Sequence, residues 1–492
     1  MRIVRKGENG YDCDRRISNA RIDYKPKAIA FCDSEQDVLD AIAKARAEHC
    51  GIRVRAGGHH HEGMCSGDDV WMIDVSSLRR IIVDADKSLV TVGAGARLGD
   101  IYDTVLPYGF IFPGGACRDV HVGGLVQGGG WGLFSRAAGL TCDSVAQFRM
   151  AIYDAKTDAF TMTTVKGAAD DPNHDLFWAV CGGGGGNFGI ATEFTFKVPP
   201  YKYGIGNQQR FITQFTMTWP DRRRMSDVLE EWLCFPDDDE YRLTTFCRLI
   251  APGTEPIDQP TLIQGNFIGA KPELIENLKR LLPTTFSIGN FSCQTIATWP
   301  PDPRPAPRNF FTPAEYQAGP PQQDGVDLGN TCNGSFFRHK ISSAYPVDNF
   351  DQTAGRYELV TRINATSLPN ARRYVSLHSL GGVVRNDEDR NRDTWSSFAY
   401  RRKPFLIQYQ AWWNTPDLDA KCCEWVNRFR DGMKLLTDGA FINFPDRDRV
   451  DTTDPVELMK EYYGDNFDRL RDIKTRYDPK KLFDFPMGIP RR

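Results

Sequence analysis

Two short stretches of the chain combine glycines with side chains that can act as nucleophiles. Residues 53–63 read RVRAGGHHHEG, so three histidines follow directly on Gly57 and Gly58. Residues 112–132 read FPGGACRDVHVGGLVQGGGWG, so Cys117 stands among eight glycines. Glycine allows backbone N–H groups to close on an anionic ligand, and an imidazole or a thiolate can bond covalently to an electrophile. The two stretches predict a phosphate cradle with a nucleophile on each side.

Both stretches resemble the berberine bridge enzyme-like branch of the FAD-linked oxidases, which share the vanillyl-alcohol oxidase or PCMH type of flavin fold. Residues 175–190, DLFWAVCGGGGGNFGI, and residues 462–483, YYGDNFDRLRDIKTRYDPKKLF, resemble the same family. In that branch the histidine of a GGH motif and a cysteine in a C-x-x-V-x-V-G-G context both bond to the flavin. The resemblance therefore implies FAD attached bicovalently through His59 and Cys117.

The same resemblance implies further cofactor contacts, most of them in glycine loops. They are expected at Arg55, Ala56, Gly57, Gly58, His60, Gly63, Gly115, Val120, Gly123, Gly124, Gly128, Gly129, Gly130, Gly132, Leu140, Asp143, Gly186, Asn187, Gly189, Ile190, Asn466 and Phe467. The side chain of His60 is expected to point away from those of His59 and His61, since neighbouring residues of an extended segment alternate in direction. Three adjacent histidines cannot all converge on one ion, so no metal site is predicted.

A doubly wound dinucleotide fold is the alternative way for such a chain to hold FAD. That fold requires G-x-G-x-x-G between a strand and a helix. The segment GAGARLG supplies Gly93 and Gly95, but Leu98 occupies the third glycine position, and Leu133 does so after the glycine run at 128–132. The fingerprint therefore fails twice, and dispersed glycine loops are the favoured flavin site.

Composition limits the classes of partner. The 492 residues suffice for two large domains, and 61 basic against 64 acidic residues give a net charge of −3. No global field therefore favours nucleic acid or an anionic membrane. No stretch approaches the ~18 apolar residues of a membrane helix, and the N terminus shows no secretory signal. The 13 cysteines, an odd number, indicate reduced thiols and a cytoplasmic protein.

We expect an α+β protein. The resemblance implies a PCMH-type FAD-binding domain of two α+β subdomains over residues 1–204, with a C-terminal return to it at 439–492. Between them, alternating strand and helix patterns at 205–438 predict a substrate-binding domain, a largely antiparallel sheet flanked by helices. The proline-rich segment 298–325 is expected to be a long loop, either a surface excursion or a lid over the substrate.

The resemblance implies hydride transfer from a substrate carbon to the flavin, assisted by a base that takes the hydroxyl proton. The usual bases are replaced here. His378 stands at an acidic position in VSLHSLGG, Phe444 at a tyrosine position in INFPD, and Leu406 at a glutamate position in FLIQYQAWW. We predict His378 as the base, with His61 binding or polarising the substrate oxygen. A buried strand histidine bonded to backbone is the alternative for His378.

The strand that contains Leu406 also predicts part of the pocket lining. Gln408 and Gln410 share its face by period-two alternation. Trp412 and Trp413 are either core residues or a stacking surface for a sugar or a fused ring.

The electron acceptor is predicted from Val120. In the resembled family a valine three residues after the linking cysteine accompanies reaction with oxygen, so we expect an oxidase that makes hydrogen peroxide. His121 replaces a usual glycine and places a side chain near the expected oxygen path.

The sequence thus predicts an FAD-dependent oxidase acting on a hydroxyl of a sugar-like or natural-product substrate, giving a carbonyl or a lactone. Its partners are a small-molecule substrate and O2. Oxidative cyclisation of a phenolic or prenylated metabolite is the enzymatic alternative, and a flavin-binding protein that has lost its chemistry is the non-enzymatic one. The substrate and the oligomeric state stay open.

Overall fold

The computed structural model describes residues 1–200, 210–237, 239–253, 259–299, 337–351, 354–365, 367–385, 395–449 and 454–492. Its strands form three sheets of four, five and eight strands. The expected loop at 298–325 lies outside the described residues except for Thr298 and Trp299, which end a strand.

The four-stranded sheet is built from the N-terminal segment. Its strands are β1 Arg2–Arg5, β2 Ala28–Phe31, β3 Ile52–Arg55 and β4 Trp71–Asp74. The strand order is β1-β2-β4-β3. The central β4 is parallel to both β2 and β3, whereas β1 is antiparallel to β2. The GGHHH motif follows β3 directly, so this sheet fixes where the three histidines begin.

The five-stranded sheet is antiparallel throughout and has the order β5-β6-β9-β7-β8. Its strands are β5 Ile81–Asp84, β6 Leu89–Gly93, β7 Val145–Asp154, β8 Ala159–Lys166 and β9 Ile190–Lys197. The cysteine-bearing glycine stretch lies between β6 and β7 in the chain. Buried residues of this sheet and of the four-stranded sheet belong to one hydrophobic core.

The eight-stranded sheet is also antiparallel and has the order β13-β10-β12-β11-β15-β16-β14-β17. Its strands are β10 Arg210–Trp219, β11 Leu243–Ile250, β12 Thr261–Ile268, β13 Phe291–Trp299, β14 Arg338–Pro346, β15 Ala371–Ser379, β16 Phe405–Trp413 and β17 Thr437–Asp438.

Twelve α-helices lie within the described residues. They are α1 Tyr11–Asp14, α2 Glu35–Ala47, α3 Leu98–Val105, α4 Val122–Gln127, α5 Ser135–Ala138, α6 His174–Val180, α7 Met225–Leu233, α8 Lys271–Leu281, α9 Gly355–Asn364, α10 Asp419–Gly432, α11 Pro455–Tyr463 and α12 Phe467–Tyr477. Apolar residues of α7, α9 and α10 pack with one face of the eight-stranded sheet in a second core. The other face of that sheet carries residues of the site described below.

Helix α2 shows why the expected elements form. Ser34 caps it, since the serine side chain accepts a 3.1 Å hydrogen bond from the backbone N–H of Asp37. The buried Val38, Ile42 and Ala45 fall on one stripe at helical spacing. Helices combined with mainly antiparallel sheets confirm the predicted α+β class.

Two further expectations concern the cellular setting. Cys13 is disulfide-bonded, which departs from the expectation that the cysteines are reduced thiols. The cytoplasmic location inferred from those cysteines therefore stays a prediction. Among the described residues, the helices are all too short or too polar to cross a membrane.

Candidate active site

The glycine stretches pack against each other at distances that exclude larger residues. We call residues 57–58, 112–117 and 123–132 the glycine cradle. A Cβ atom on Gly132 would overlap the carbonyl oxygen of Gly114, and a Cβ atom on Gly57 would lie 2.6 Å from Cδ2 of His121. A Cβ atom on Gly124, in contrast, would meet nothing within 4 Å. The cradle is therefore closed where its loops cross and open at Gly124, where a ligand can approach the backbone.

Hydrogen bonds hold the cradle loops in place. The Tyr102 hydroxyl donates to the carbonyl of Gly115 at 2.5 Å, and the Thr141 hydroxyl donates to that of Pro113 at 2.5 Å. The backbone N–H of Gly132 donates to Oγ of Ser135 at 2.9 Å. These contacts fix the backbone before any ligand binds.

His59 and Cys117 are both half-buried side chains at the cradle. His59 is half-buried, and burial lowers its pKa while the nearby Asp119 opposes that change. Its imidazole is therefore neutral near pH 7, and its Nε2 makes no hydrogen bond with the described residues. Cys117 is a half-buried thiol. The ring of His121 lies beside that of His59 over Gly57, so His121 fills space at the edge of the cradle.

Several residues predicted to contact the cofactor use their side chains inside the protein. Arg55 forms a buried ion pair with Asp74 and donates to the carbonyl of Asp14 at 2.6 Å. Asp143 is bound by Arg401 at 2.6 Å, the closest contact of a buried ion pair. The side chains of Arg55 and Asp143 thus hold neighbouring segments together, although Nη2 of Arg55 is buried and has no hydrogen-bond partner among the described residues.

Asn187, Asn466 and Phe467, which were also predicted to contact the cofactor, likewise use their side chains inside the protein. The amide of Asn187 accepts from the backbone N–H of Ile489 at 2.8 Å and donates to two glycine carbonyls of its own loop. Asn466 donates to the carbonyl of Ser397 at 3.1 Å, and Phe467 is a core residue. Nδ1 of His60 accepts a 3.2 Å hydrogen bond from the backbone N–H of Glu62.

Two amide oxygens that the sequence did not single out lie at the cradle. Oε1 of Gln127 and Oδ1 of Asn443 are buried and lack a hydrogen-bond partner among the described residues. A Cβ atom on Gly128 would overlap Oδ1 of Asn443, so that oxygen lies against the cradle backbone. Unpaired buried acceptors are costly unless a ligand satisfies them. Together with the open backbone at Gly124 and the unpaired Nε2 of His59, they fit a group such as FAD, which carries phosphates, N–H donors and an electrophilic ring.

One face of the eight-stranded sheet borders the cradle. We call its side chains the sheet face: Phe246, Arg248, His339, Tyr374, His378, Gln408, Gln410 and Trp412. The ring of Trp131, from the cradle, lies 4.3 Å from that of His378, and its indole N–H donates to the carbonyl of Ser379 at 2.8 Å. The cradle and the sheet face are therefore in direct contact.

A chain of hydrogen bonds runs along the sheet face. The indole N–H of Trp412 and the hydroxyl of Tyr374 both donate to Oε1 of Gln410, at 2.9 and 2.8 Å. Nε2 of Gln410 donates to Oε1 of Gln408 at 2.5 Å, and Nε2 of His378 lies 3.0 Å from the same oxygen. The predicted alignment of Gln408 with Gln410 thus becomes a connected network that ends at His378.

His61 and His378 both lie close to Phe444. The Phe444 ring centroid is 5.9 Å from that of His61 and 6.0 Å from that of His378. Burial lowers the pKa of each histidine to about 3, so both rings are neutral near pH 7. Nδ1 of His61 lies 3.0 Å from Nε2 of His339, a residue that the sequence did not point to. Two neutral imidazoles thus lie near the Phe444 ring.

A buried ion cluster lies behind His61 and Phe444. Nζ of Lys340 is 2.8 Å from Glu62 and 2.6 Å from Asp446, and all three side chains are buried. Burial opposes the charge on Lys340, but Asp446 and Glu62 outweigh it and raise the pKa of the lysine. Glu62 follows His61 and Lys340 follows His339, so the cluster ties together the segments that carry both histidines.

Sequence reasoning missed His339, Tyr374, Gln127 and Asn443. Asn443 precedes Phe444 in the INFPD motif, so motif position could have suggested it. The other three carry no local signal, because their place depends on strand register and on how distant loops pack. Within the described part of the chain, no group of three or more His, Cys, Asp or Glu side chains is arranged to hold a metal ion.

Comparison with known proteins finds two matching family models, one in the N-terminal part of the chain and one near its C-terminal end. A model of the FAD binding domain matches residues 26–157, and a model described as berberine and berberine like matches residues 440–490. The first match contains His59 and Cys117, and the second contains Phe444. The predicted cofactor, FAD, is confirmed.

Relatives and solved structures agree with these matches. The uncharacterized FAD-linked oxidoreductase YgaK of Bacillus subtilis (strain 168) is 31% identical over 495 residues, covering 99% of this chain and 96% of the relative. Aclacinomycin-N/aclacinomycin-A oxidase of Streptomyces galilaeus is 28% identical, covering 99% and 89%. Glucooligosaccharide oxidase from Acremonium strictum has the same fold, with a TM-score of 0.77 at 22% identity and coverage of 99% and 97%. The chain therefore belongs to the berberine bridge enzyme-like family of FAD-linked oxidoreductases.

Proposed function

We propose that the protein is an oxidase that takes a hydride from a hydroxyl-bearing carbon of a sugar-like or natural-product substrate. The product is a carbonyl compound or a lactone, and O2 is reduced to hydrogen peroxide. FAD is held covalently by His59 and Cys117. The solved glucooligosaccharide oxidase carries a 6-S-cysteinyl, 8α-N1-histidyl FAD, which supports two links of this kind at the matching residue types.

The observation that carries the proposal is the contact between the cradle and the sheet face. His59 and His61 belong to one turn, and Trp131 of the cradle packs on His378. A flavin tethered by His59 is therefore next to two neutral imidazoles. Neutral imidazoles can take a proton at pH 7, and Phe444 cannot.

The residues of this chain have to move one proton. The substrate O–H bond breaks and its proton goes to a histidine nitrogen, while the electron pair of that bond becomes the second bond of the carbonyl. Bound FAD supplies the oxidant, accepting the hydride from the adjacent carbon, and O2 then takes those two electrons. A positioned general base is typically worth about 10²–10⁴-fold in rate.

Aromatic side chains around the histidines indicate what the substrate presents. The rings of Trp131, Phe246 and Phe444 all lie within 6.0 Å of His378, measured between centroids. Trp412 stacks on His339 at 4.3 Å and is only partly buried, whereas Trp413 is core. Such surfaces bind the apolar face of a sugar or a fused ring. Phenols stack on rings of the same kind, so oxidative cyclisation of a phenolic metabolite is the second candidate.

Anaerobic reduction of the flavin tests the function. The protein is mixed without oxygen with cellobiose, a sugar probe, or with coniferyl alcohol, an aromatic alcohol probe, and the flavin absorbance is followed. Bleaching by one of them, reversed by air with release of hydrogen peroxide, is the expected result. A carbonyl product identifies alcohol oxidation, and a new ring without loss of the alcohol identifies cyclisation. No bleaching by these probes or by a wider set of sugars, phenols and polyketide alcohols contradicts the oxidase proposal.

A further inference from the structure

His121 lies against the histidine that is proposed to carry the flavin. A Cβ atom added to Gly57 would lie 2.6 Å from Cδ2 of His121, 2.9 Å from its Cγ and 2.9 Å from Cδ2 of His59. Both imidazole rings therefore have an edge at the place that a side chain of residue 57 would occupy. Because Gly57 has no side chain, the two rings can both approach that place.

The backbone that carries His121 is fixed by hydrogen bonds. Residue 121 forms an isolated β-bridge with Arg97. The N–H of the following residue, Val122, donates to the carbonyl of Ala96 at 2.9 Å. The His121 side chain is only 7% exposed, so its ring has little room to turn. The ring is therefore a fixed surface beside His59.

The imidazole of His59 is not oriented by a hydrogen bond at Nε2. His59 is half-buried, and its Nε2 is a buried atom without a hydrogen-bond partner among the described residues. The carbon bonded to Nε2 is Cδ2, which is the atom that faces Gly57 and His121. Packing against His121 therefore restrains this edge of the His59 ring where hydrogen bonding does not.

His121 also belongs to the loop that carries the second proposed attachment residue. Cys117 precedes it by four residues, and within that loop the N–H of Val120 donates to the carbonyl of Cys117 at 3.4 Å. The contact of His121 with His59 thus joins the segment of one link to the segment of the other. Two bonds to one flavin ring require both segments to be held at reacting distance.

We propose that His121 is a positioning residue for the covalent attachment of FAD, and that its ring holds the His59 imidazole in the orientation from which the bond forms. This rests on the proposed attachment through His59. In that attachment a nitrogen of His59 forms a bond to a ring-methyl carbon of the flavin, and a C–H bond of the methyl group breaks. The imidazole and the methyl group each give up one proton. O2 takes up those protons and the two electrons of the C–H bond, giving hydrogen peroxide.

The fraction of bound flavin that is covalently attached tests the proposal in the Cys117→Ala background, where His59 is the remaining proposed link. Purified protein is supplied with FAD and unfolded in acid at intervals, and its intact mass is measured. His121→Gly removes the ring and should lower the covalent fraction at the first interval by about 10-fold or more, because a displacement of about 1 Å can slow a reaction by about 100-fold. Total bound flavin and the urea midpoint of unfolding should fall little.

His121→Asn separates packing from imidazole chemistry. Asparagine keeps side-chain atoms near the positions of Cγ and Cδ2, which are the atoms that lie against Gly57, but it cannot titrate. Its covalent fraction should stay close to that of the background. Asparagine and glycine are both favoured at a helix N-cap, the place of residue 121 before α4, so a change in that helix does not explain a difference between the two variants.

The control is His49→Gly, the same substitution at an exposed histidine whose φ of 53° suits glycine. It should leave the covalent fraction unchanged. The role of His121 is overturned, with the attachment left standing, if His121→Gly attaches flavin as the background does or if His121→Asn loses as much as His121→Gly.

Two further outcomes complete the test. Flavin released in full from Cys117→Ala itself would contradict attachment at His59, and the role of His121 with it. A crystal structure of the flavin-loaded unaltered protein needs no variant, so it decides the matter even if His121→Gly does not fold. It should show the ring of His121 against that of His59, and a ring turned away from His59 would overturn the proposal.

Discussion

The glycine cradle and the sheet face differ in what forms them, which is backbone in the cradle and side chains on the sheet face. The cradle works by lacking side chains: its loops cross so closely that a Cβ atom on Gly132 would overlap Gly114. The sheet face works through side chains, which neighbouring strands present in register, as with Tyr374 opposite Gln410. Where its loops cross, the cradle has no room for an added side chain, whereas side chains on the sheet face can be exchanged while the sheet itself is unchanged. Phe444 is such an exchange at a position where the family commonly has a tyrosine.

The ion cluster behind the sheet face should give the largest loss of stability. Lys340→Met removes the buried cation that Glu62 and Asp446 share and leaves them paired with arginines only, Arg21 and Arg430 among them. Breaking a buried ion pair in this way typically costs about 3–5 kcal/mol. Urea unfolding of the flavin-loaded protein measures this. The control is Lys87→Met, which removes an exposed pair with Asp84 and should leave the urea midpoint nearly unchanged. Equal losses in the two variants would show that the cluster does not hold the site together.

The cradle should respond to the addition of a single methyl group. Gly132→Ala forces that group onto a backbone oxygen that no side-chain rotation can clear, so we expect a loss of about 3 kcal/mol. The flavin content per chain should fall with it. Gly289→Ala, whose Cβ atom would have only an ordinary 3.7 Å contact, should change neither quantity. Normal flavin content in Gly132→Ala would mean that the cradle can open without harm.

Lowering the pH should reduce the free energy of unfolding, because the sheet face contains buried neutral imidazoles. Burial lowers the pKa of His378 to about 3, against an ordinary value of about 6.5. Below about pH 6.5 the unfolded chain binds a proton that the folded chain does not, so stability falls as the pH falls. Between pH 7.5 and 5.5 this histidine should account for about 1.4 kcal/mol.

The pH dependence of urea unfolding checks that value. His378→Gln should lose less stability than the unaltered protein over the same interval, whereas His49→Asn should match it. An unchanged slope in His378→Gln would mean that this ring takes up its proton in the folded state.

The two regions also differ in how far the sequence could predict them. Glycine is itself the evidence for close backbone approach, so the cradle and its flanking His59 and Cys117 could be placed from motifs. The resemblance to a flavin family implied the FAD cofactor and, together with the strand and helix patterns, the α+β class. Motif position did not tell whether a side chain faces the ligand or the protein. Asn187 was predicted as a cofactor contact, yet its amide is used within the fold.

The sheet face could be predicted only along single strands. Alternation placed Gln408 beside Gln410, which the register confirms. It could not bring His339 opposite Trp412, because that pairing depends on the register between strands far apart in the chain. The neutral state of His378 depends on its burial, and the direction of its hydrogen bond depends on Gln408. No local pattern reveals either one. Local sequence patterns therefore do not identify the base.

The most direct test of the central claim is whether the flavin stays on the polypeptide after denaturation. Protein unfolded in acid is separated from small molecules, and its visible absorbance and intact mass are measured for the unaltered chain, His59→Ala, Cys117→Ala and the double variant. We expect the flavin to remain in the unaltered chain and in each single variant that binds it, and to be lost only from the double variant. Flavin released from the denatured unaltered chain would contradict covalent attachment through His59 and Cys117.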